Sequence, residues 1–194
     1  NRDAILEGVY AGQAVLAQLL PGRAEFGGSI TNLLREIEVL KVRVQLNTPV
    51  DSSMITELAP DVVVIATGST PYRPPFEVMG ELQVAQAVDV LTGSAKVGNS
   101  VVVVDWRSDW VGTGIAIKLA QEGCRVRLAV NGAGPGEAIQ SYTRDYNIGQ
   151  LHSLGVEIIP FARLYGVDTS IVYLQHSVSL EAIILADVDT LVLS

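Results

Sequence analysis

Cysteine is nearly absent: Cys124 stands alone among 194 residues, which excludes an internal disulfide and any cysteine-built metal cluster. It sits just after a helix stop and leads into a strand, the position of a core thiol, and a reducing cytoplasm is the expected compartment. Positive charge is scarce as well. With 13 Lys and Arg against 21 Asp and Glu, the net charge of −8 argues against nucleic acid or an anionic membrane surface as a partner. No apolar run approaches the ~20 residues that a bilayer span needs, so no membrane partner is expected. Aromatics are few, at 6%. The two histidines, His152 and His176, read as surface or satisfied groups, since no Ser-His-Asp order, zinc spacing or carboxylate pair accompanies them. An initiator Met is missing, and the chain closes inside an apolar run at 189–194, so the reading expects a truncated piece of a longer protein.

What is there describes a well-buried globular chain: 48% hydrophobic residues and 18% charged. Gly27-Gly28-Ser29 launches a helix with Ile30, Leu33, Leu34, Ile37 and Leu40 at helical spacing and Ser29 as its N-cap. A strand at 42–46, a short helix capped by Asp51 and a buried strand at 61–68 follow. Pro71, Pro74 and Pro75 then force extended chain and mark a boundary, dividing the sequence into 1–72 and 73–194. In the second part, strands are expected at 101–104, 126–130 and 156–160, with helices between them and three short β runs at 161–165, 171–175 and 182–185. The predicted class is α/β: a Rossmann-like three-layer parallel sheet with a small β-meander, preceded by a partial second Rossmann-like unit.

Residues 101–123 carry the sharpest motif. Four valines, a loop, a helix ending at Gly123 and a second apolar strand form the frame on which G-x-G-x-x-G cradles a pyrophosphate. Counting back from Gly123, the third glycine falls on Gly112, but the first two fall on Arg107 and Asp109. Side chains there block the approach of phosphate to backbone amides, and the Asp105 and Asp109 carboxylates repel it. Gly112 and Gly114 are where a diphosphate would rest, and Asn131 stands where an acid usually binds ribose. The fold is therefore expected to be kept and NAD(P) binding lost. Trp106 and Trp110 read as buried or interface aromatics of a packing loop.

A further set of pieces runs in order along almost the whole chain: Gly12-Gln13, residues 20–27 (LPGRAEFG), Asn47-Thr48, Ala66-Thr67-Gly68-Ser69, the three prolines and the closing run 189–194. On these the chain resembles the C-terminal two-dinucleotide-domain region of the trimethylamine dehydrogenase, 2,4-dienoyl-CoA reductase and NADH:flavin oxidoreductase family. The resemblance implies a partial FAD-type domain over 1–72 and an NAD(P)-binding-like domain over 73–194. It implies that Gly12, Gln13, Ala66, Thr67 and Gly68 lie beside FAD, or beside ADP in the dehydrogenase branch. FMN and an iron–sulfur cluster belong to a preceding barrel that this sequence does not contain. Members that oxidise amines pass electrons to an electron-transfer flavoprotein and need no nicotinamide loop, so the rewritten loop tilts the parent toward N-methylated amines. The implied partners are the remainder of that flavoenzyme and an electron-transfer flavoprotein, with a homo-oligomer left open. The rival expectation is a non-catalytic module that binds ADP or serves as a docking surface.

Overall fold

The structure is a computed structural model that describes residues 12–194, with only the backbone described for Gly12 and Gln13. The chain divides into two compact units: residues up to Gln18 together with Arg23–Thr70, and Leu19–Gly22 together with Pro71–Ser194.

Among its described residues the first unit holds three helices: α1 (Gly12–Ala17), α2 (Glu25–Val39) and α3 (Ser52–Leu58). Helix α2 begins five residues before the expected start, with Ala24 rather than Ser29 at the N-cap and Glu25 facing the helix dipole, so Ser29 lies inside it. Its apolar stripe is only partly covered, since Ile30 is buried while Leu33 and Leu40 are exposed. Asp51 caps α3 as expected, its carboxylate accepting from the Met54 amide at 2.9 Å and the Ser53 hydroxyl at 2.6 Å. Those bonds favour the ionised form, the Ser53 hydroxyl most, and hold Asp51 below the usual carboxylate range. Residues 42–46 and 61–68 are not strands. A strand needs a neighbour to bond to, and among the described residues none lies alongside them, so Val62 and Val64 stay exposed.

In the second unit, five strands form a parallel sheet in the order β2 (Gln83–Gln86), β9 (Thr190–Leu193), β3 (Ser100–Asp105), β4 (Arg125–Val130), β5 (Glu157–Ile159). Strand β2 leads into α4 (Ala87–Thr92); neither had been read from the sequence. Helices α5 (Trp110–Gln121) and α6 (Ser141–Ser153) form the parallel crossovers around β4. Gln140 occupies the N-cap of α6. A second sheet, ordered β1 (Glu77–Val78), β6 (Ala162–Val167), β7 (Val172–His176), β8 (Ala182–Leu185), is an antiparallel meander with β1 added in parallel.

Alternation along the central strands sorts the core into two faces. Val101, Val103, Leu128 and Val192 pack with Ile115 and Leu119 of α5 and Leu151 of α6. Val102, Val104, Ala129 and Leu191 pack with Val172, Leu174 and Leu185 of the meander. Helices, parallel sheet and meander therefore make three layers. Because β3 is buried on both faces, its four valines are at most 2% exposed.

Two stability changes follow from this partition. Leu128→Ala, which opens a cavity in the helical face, is expected to cost about 2–5 kcal/mol. Leu33→Ala on the exposed side of α2 is expected to stay within about 0.5 kcal/mol. Urea unfolding of the two variants checks both.

Candidate functional site

The C-terminal edge of a parallel sheet is where open α/β folds place ligands, and β3 ends there in Asp105. Its backbone is in the strand, but its side chain is wholly buried. Asp105 Oδ1 accepts two hydrogen bonds from the loop that follows, from the amides of Arg107 at 3.0 Å and Ser108 at 2.9 Å. Four residues on, Asp109 sits at the N-cap of α5 and its Oδ1 accepts from the Val111 amide at 2.8 Å. Its other oxygen pairs with Arg107 Nε at 3.0 Å. Three amides that a glycine-rich loop would offer to phosphate are thus bonded to the chain's own carboxylates.

Gly112 explains why the helix can stand so close to the strand. A Cβ added there would lie 2.4 Å from Asp105 Cγ, so the first turn of α5 rests directly on the aspartate. This is the close-packing role of the third glycine of such a loop. Gly114 is also a packing glycine, with Leu20 Cδ2 3.0 Å from the position of a Cβ. Trp106 and Trp110 are half-buried, Trp106 against the meander-side core and Trp110 against the helical one. Tyr72 stacks edge-on to Trp106, with ring centroids 6.2 Å apart.

The turn after β4 is closed in the same manner. Asn131 is exposed at the strand end, and its amide reaches back to Asp105 O at 3.4 Å. Beyond it the Ala133 amide donates to Glu137 Oε1 at 2.8 Å, and the Ala138 amide donates to Ser108 O at 2.9 Å. The second bond fastens the turn to the loop. Sequence reasoning missed Glu137 and this tie, because residues 132–136 read only as a glycine-proline break.

Burial pushes the Asp105 carboxyl up to about 7, with the Asp109 carboxylate adding to the rise and the Ser108 and Arg107 amides opposing it. Asp105 Oδ2 and Ser108 Oγ are buried with no hydrogen-bond partner among the described residues. Cys124 is half-buried near Gly98 O, its thiol raised by burial and by Glu122. His152 is exposed, and His176 accepts at Nδ1 from the Ser179 amide. No metal-binding cluster occurs among the described residues, and no helix among them is long and apolar enough to cross a membrane.

Of the residues assigned to flavin or ADP contact, Ala66, Thr67 and Gly68 lie in exposed irregular chain, with Gly68 at φ +78°. Gly12 and Gln13 open α1, where only the backbone is described.

Two variants test the loop. A carboxyl whose folded pKa lies above its unfolded value holds its proton longer when folded, so stability falls as pH rises from about 4 and levels off above about 7. Asp105→Asn should therefore gain on the unaltered chain from pH 5 to pH 8, by up to about 3 kcal/mol, in urea unfolding at each pH. Gly112→Ala should lose about 1–3 kcal/mol by overpacking, read as a lowered Tm.

No family model matches the sequence. The chain is similar to N,N-dimethylglycine/sarcosine dehydrogenase of Chromohalobacter salexigens, with 30% identity over 138 residues, 68% of this chain and 20% of that protein. It is also similar to a metal reductase of Desulforamulus reducens, with 35% identity over 116 residues, 58% of this chain and 17% of the relative. The matched stretches are thus about a fifth of these relatives' lengths. Among solved structures, histamine dehydrogenase from Rhizobium sp. 4-9 superposes with a TM-score of 0.79 at 18% identity, over 93% of this chain and 30% of that one. That likeness concerns the fold.

Proposed function

For a chain that belongs to the trimethylamine dehydrogenase, 2,4-dienoyl-CoA reductase and NADH:flavin oxidoreductase family, we propose that it is the dinucleotide-domain portion of a flavin-dependent oxidoreductase and that its nicotinamide site is vestigial. One observation carries the reading: the Asp105 and Asp109 carboxylates already hold the Arg107, Ser108 and Val111 amides. A diphosphate at that edge would have to displace two fixed carboxylates while bringing more negative charge beside them. NAD(P) does not fit there, and no hydride step is derived through it.

The reaction class proposed for the parent is oxidation of an N-methylated amine, with electrons passing to an electron-transfer flavoprotein rather than to a nicotinamide. The dimethylglycine/sarcosine dehydrogenase likeness supports this direction. The domains proposed are 1–72, FAD-type, and 73–194, NAD(P)-binding-like. Gly12, Gln13 and Ala66-Thr67-Gly68 are proposed for FAD or ADP on the resemblance alone. FMN and an iron–sulfur cluster are assigned to the rest of the parent, and the compartment to the cytoplasm. The closed loop also fits a second reading, a module without turnover that docks a partner or binds ADP away from this edge.

Calorimetric titration with NADH and NADPH tests the central claim. No saturable heat is expected, and micromolar affinity would overturn the vestigial site. Raising ADP to 100 times its Kd should stabilise the chain by about 2.7 kcal/mol if the module reading holds, seen as a rise in Tm. A flat Tm with bound flavin absorbance favours the flavin domain.

A further inference from the structure

Asp105 has an unusual setting for a carboxyl group. It is wholly buried, its Oδ1 carries both amide contacts, and its Oδ2 has no partner and lies against the first turn of α5, 2.5 Å from the position of a Gly112 Cβ. The charged groups facing it are both on its own loop: Asp109, which repels a charge there, and Arg107, which favours one but spends its Nε on Asp109. The neighbouring strands bring no charge to this end. β9 ends in Leu193 beside Val104, and β4 carries Arg125 and Arg127 near the opposite edge, paired with Ser100 and Val102. In α5 the first turn offers Val111, Gly112 and Thr113. The turn after β4 contributes Glu137, held by the Ala133 amide.

The loop is also under backbone strain. Ser108 sits at φ +50°, a region that non-glycine residues seldom occupy, with its hydroxyl buried and unpartnered. What holds it there is the Asp105 contact to its amide, and its own carbonyl in turn holds the Ala138 amide. Asp105, Ser108 and the turn at 132–138 are thus linked in series.

We infer that this series is a proton-operated latch: with a proton on Asp105 the loop and the attached turn close over the C-terminal edge of the sheet, and loss of that proton loosens both. Ionisation releases one proton to solvent and strengthens the amide bonds at Oδ1, but burial and the nearby Asp109 carboxylate outweigh that gain, and Oδ2 is left with no donor to meet its charge. Outward movement of the loop relieves both penalties, and it frees Ser108 from its strained conformation. The inference rests on the vestigial reading only in that no ligand competes for the loop.

Amide hydrogen exchange by NMR, corrected for intrinsic pH dependence, tests this on the full chain. Between pH 5.5 and 8.5 the Ser108, Val111 and Ala138 amides should lose about tenfold in protection, while Val103 in β3 keeps its own. Asp105→Asn should abolish the pH effect, and Asp109→Asn, which keeps a capping oxygen, should move its midpoint to lower pH. Equal protection at both pH values in the unaltered chain overturns the latch, as does an unmoved midpoint in Asp109→Asn. Micromolar NADH binding at pH 5.5 would instead overturn the vestigial reading and leave the latch standing.

Discussion

The junction between β3 and α5 is set by one close approach. With no side chain at Gly112, the helix can lie on Asp105, and Asp105 can turn its carboxyl inward to gather the loop amides. That contact fixes the direction in which α5 leaves the strand. It therefore fixes which residues of α5 reach the sheet: Ile115 and Leu119 meet Val101 and Val103, and burial of each such side chain supplies about 1.5–3 kcal/mol. The same carboxyl closes the edge of the sheet where this fold otherwise accepts a nucleotide. The packing, and the proposed loss of the nicotinamide site, rest on the same few atoms.

This arrangement retains the architecture of a dinucleotide fold while reversing the electrostatics of its edge. A glycine loop presents bare donors and, with the helix dipole, a positive end. Here the donors are neutralised within the chain, by Asp105 and Asp109 on one loop and Glu137 on the next. The kinship with flavin oxidoreductases fits the proposal that a flavin carries the electrons and this unit serves as framework.

How much of this could be read in advance depended on whether each element carries its own burial signal. The valines at 101–104 and the run 126–130 are buried on both faces and announce themselves by composition alone. Gly123 and Gly155, at φ +92° and +71°, mark helix ends as glycines should. Strand β2 and helix α4 escaped because they are short and amphipathic, and their partner β9 lies at the far end of the sequence. Residues 61–68 misled for the opposite reason. Their composition is that of a central strand, yet a strand is a property of a pair, and the described residues supply no mate. At the candidate site, Arg107 and Asp109 were visible where glycine belongs, and the Asp105 and Asp109 charges with them. Their hydrogen bonds were not, because an aspartate that repels a ligand and one that caps a loop are spelled alike.

The place of β9 has a consequence for assembly. It lies between β2 and β3 and, among the described residues, is the one partner of β2 in the parallel sheet, although it follows all the other strands in sequence. During synthesis the meander β6–β7–β8 can zip locally, and β3, β4 and β5 can join through their helical crossovers. The flank of β3 then stays bare until residues 190–193 emerge. An unpaired, all-valine border is adhesive toward other chains. The strand that seals this sheet is thus made after the elements it joins, and the border of β3 stays open to misassembly until it arrives.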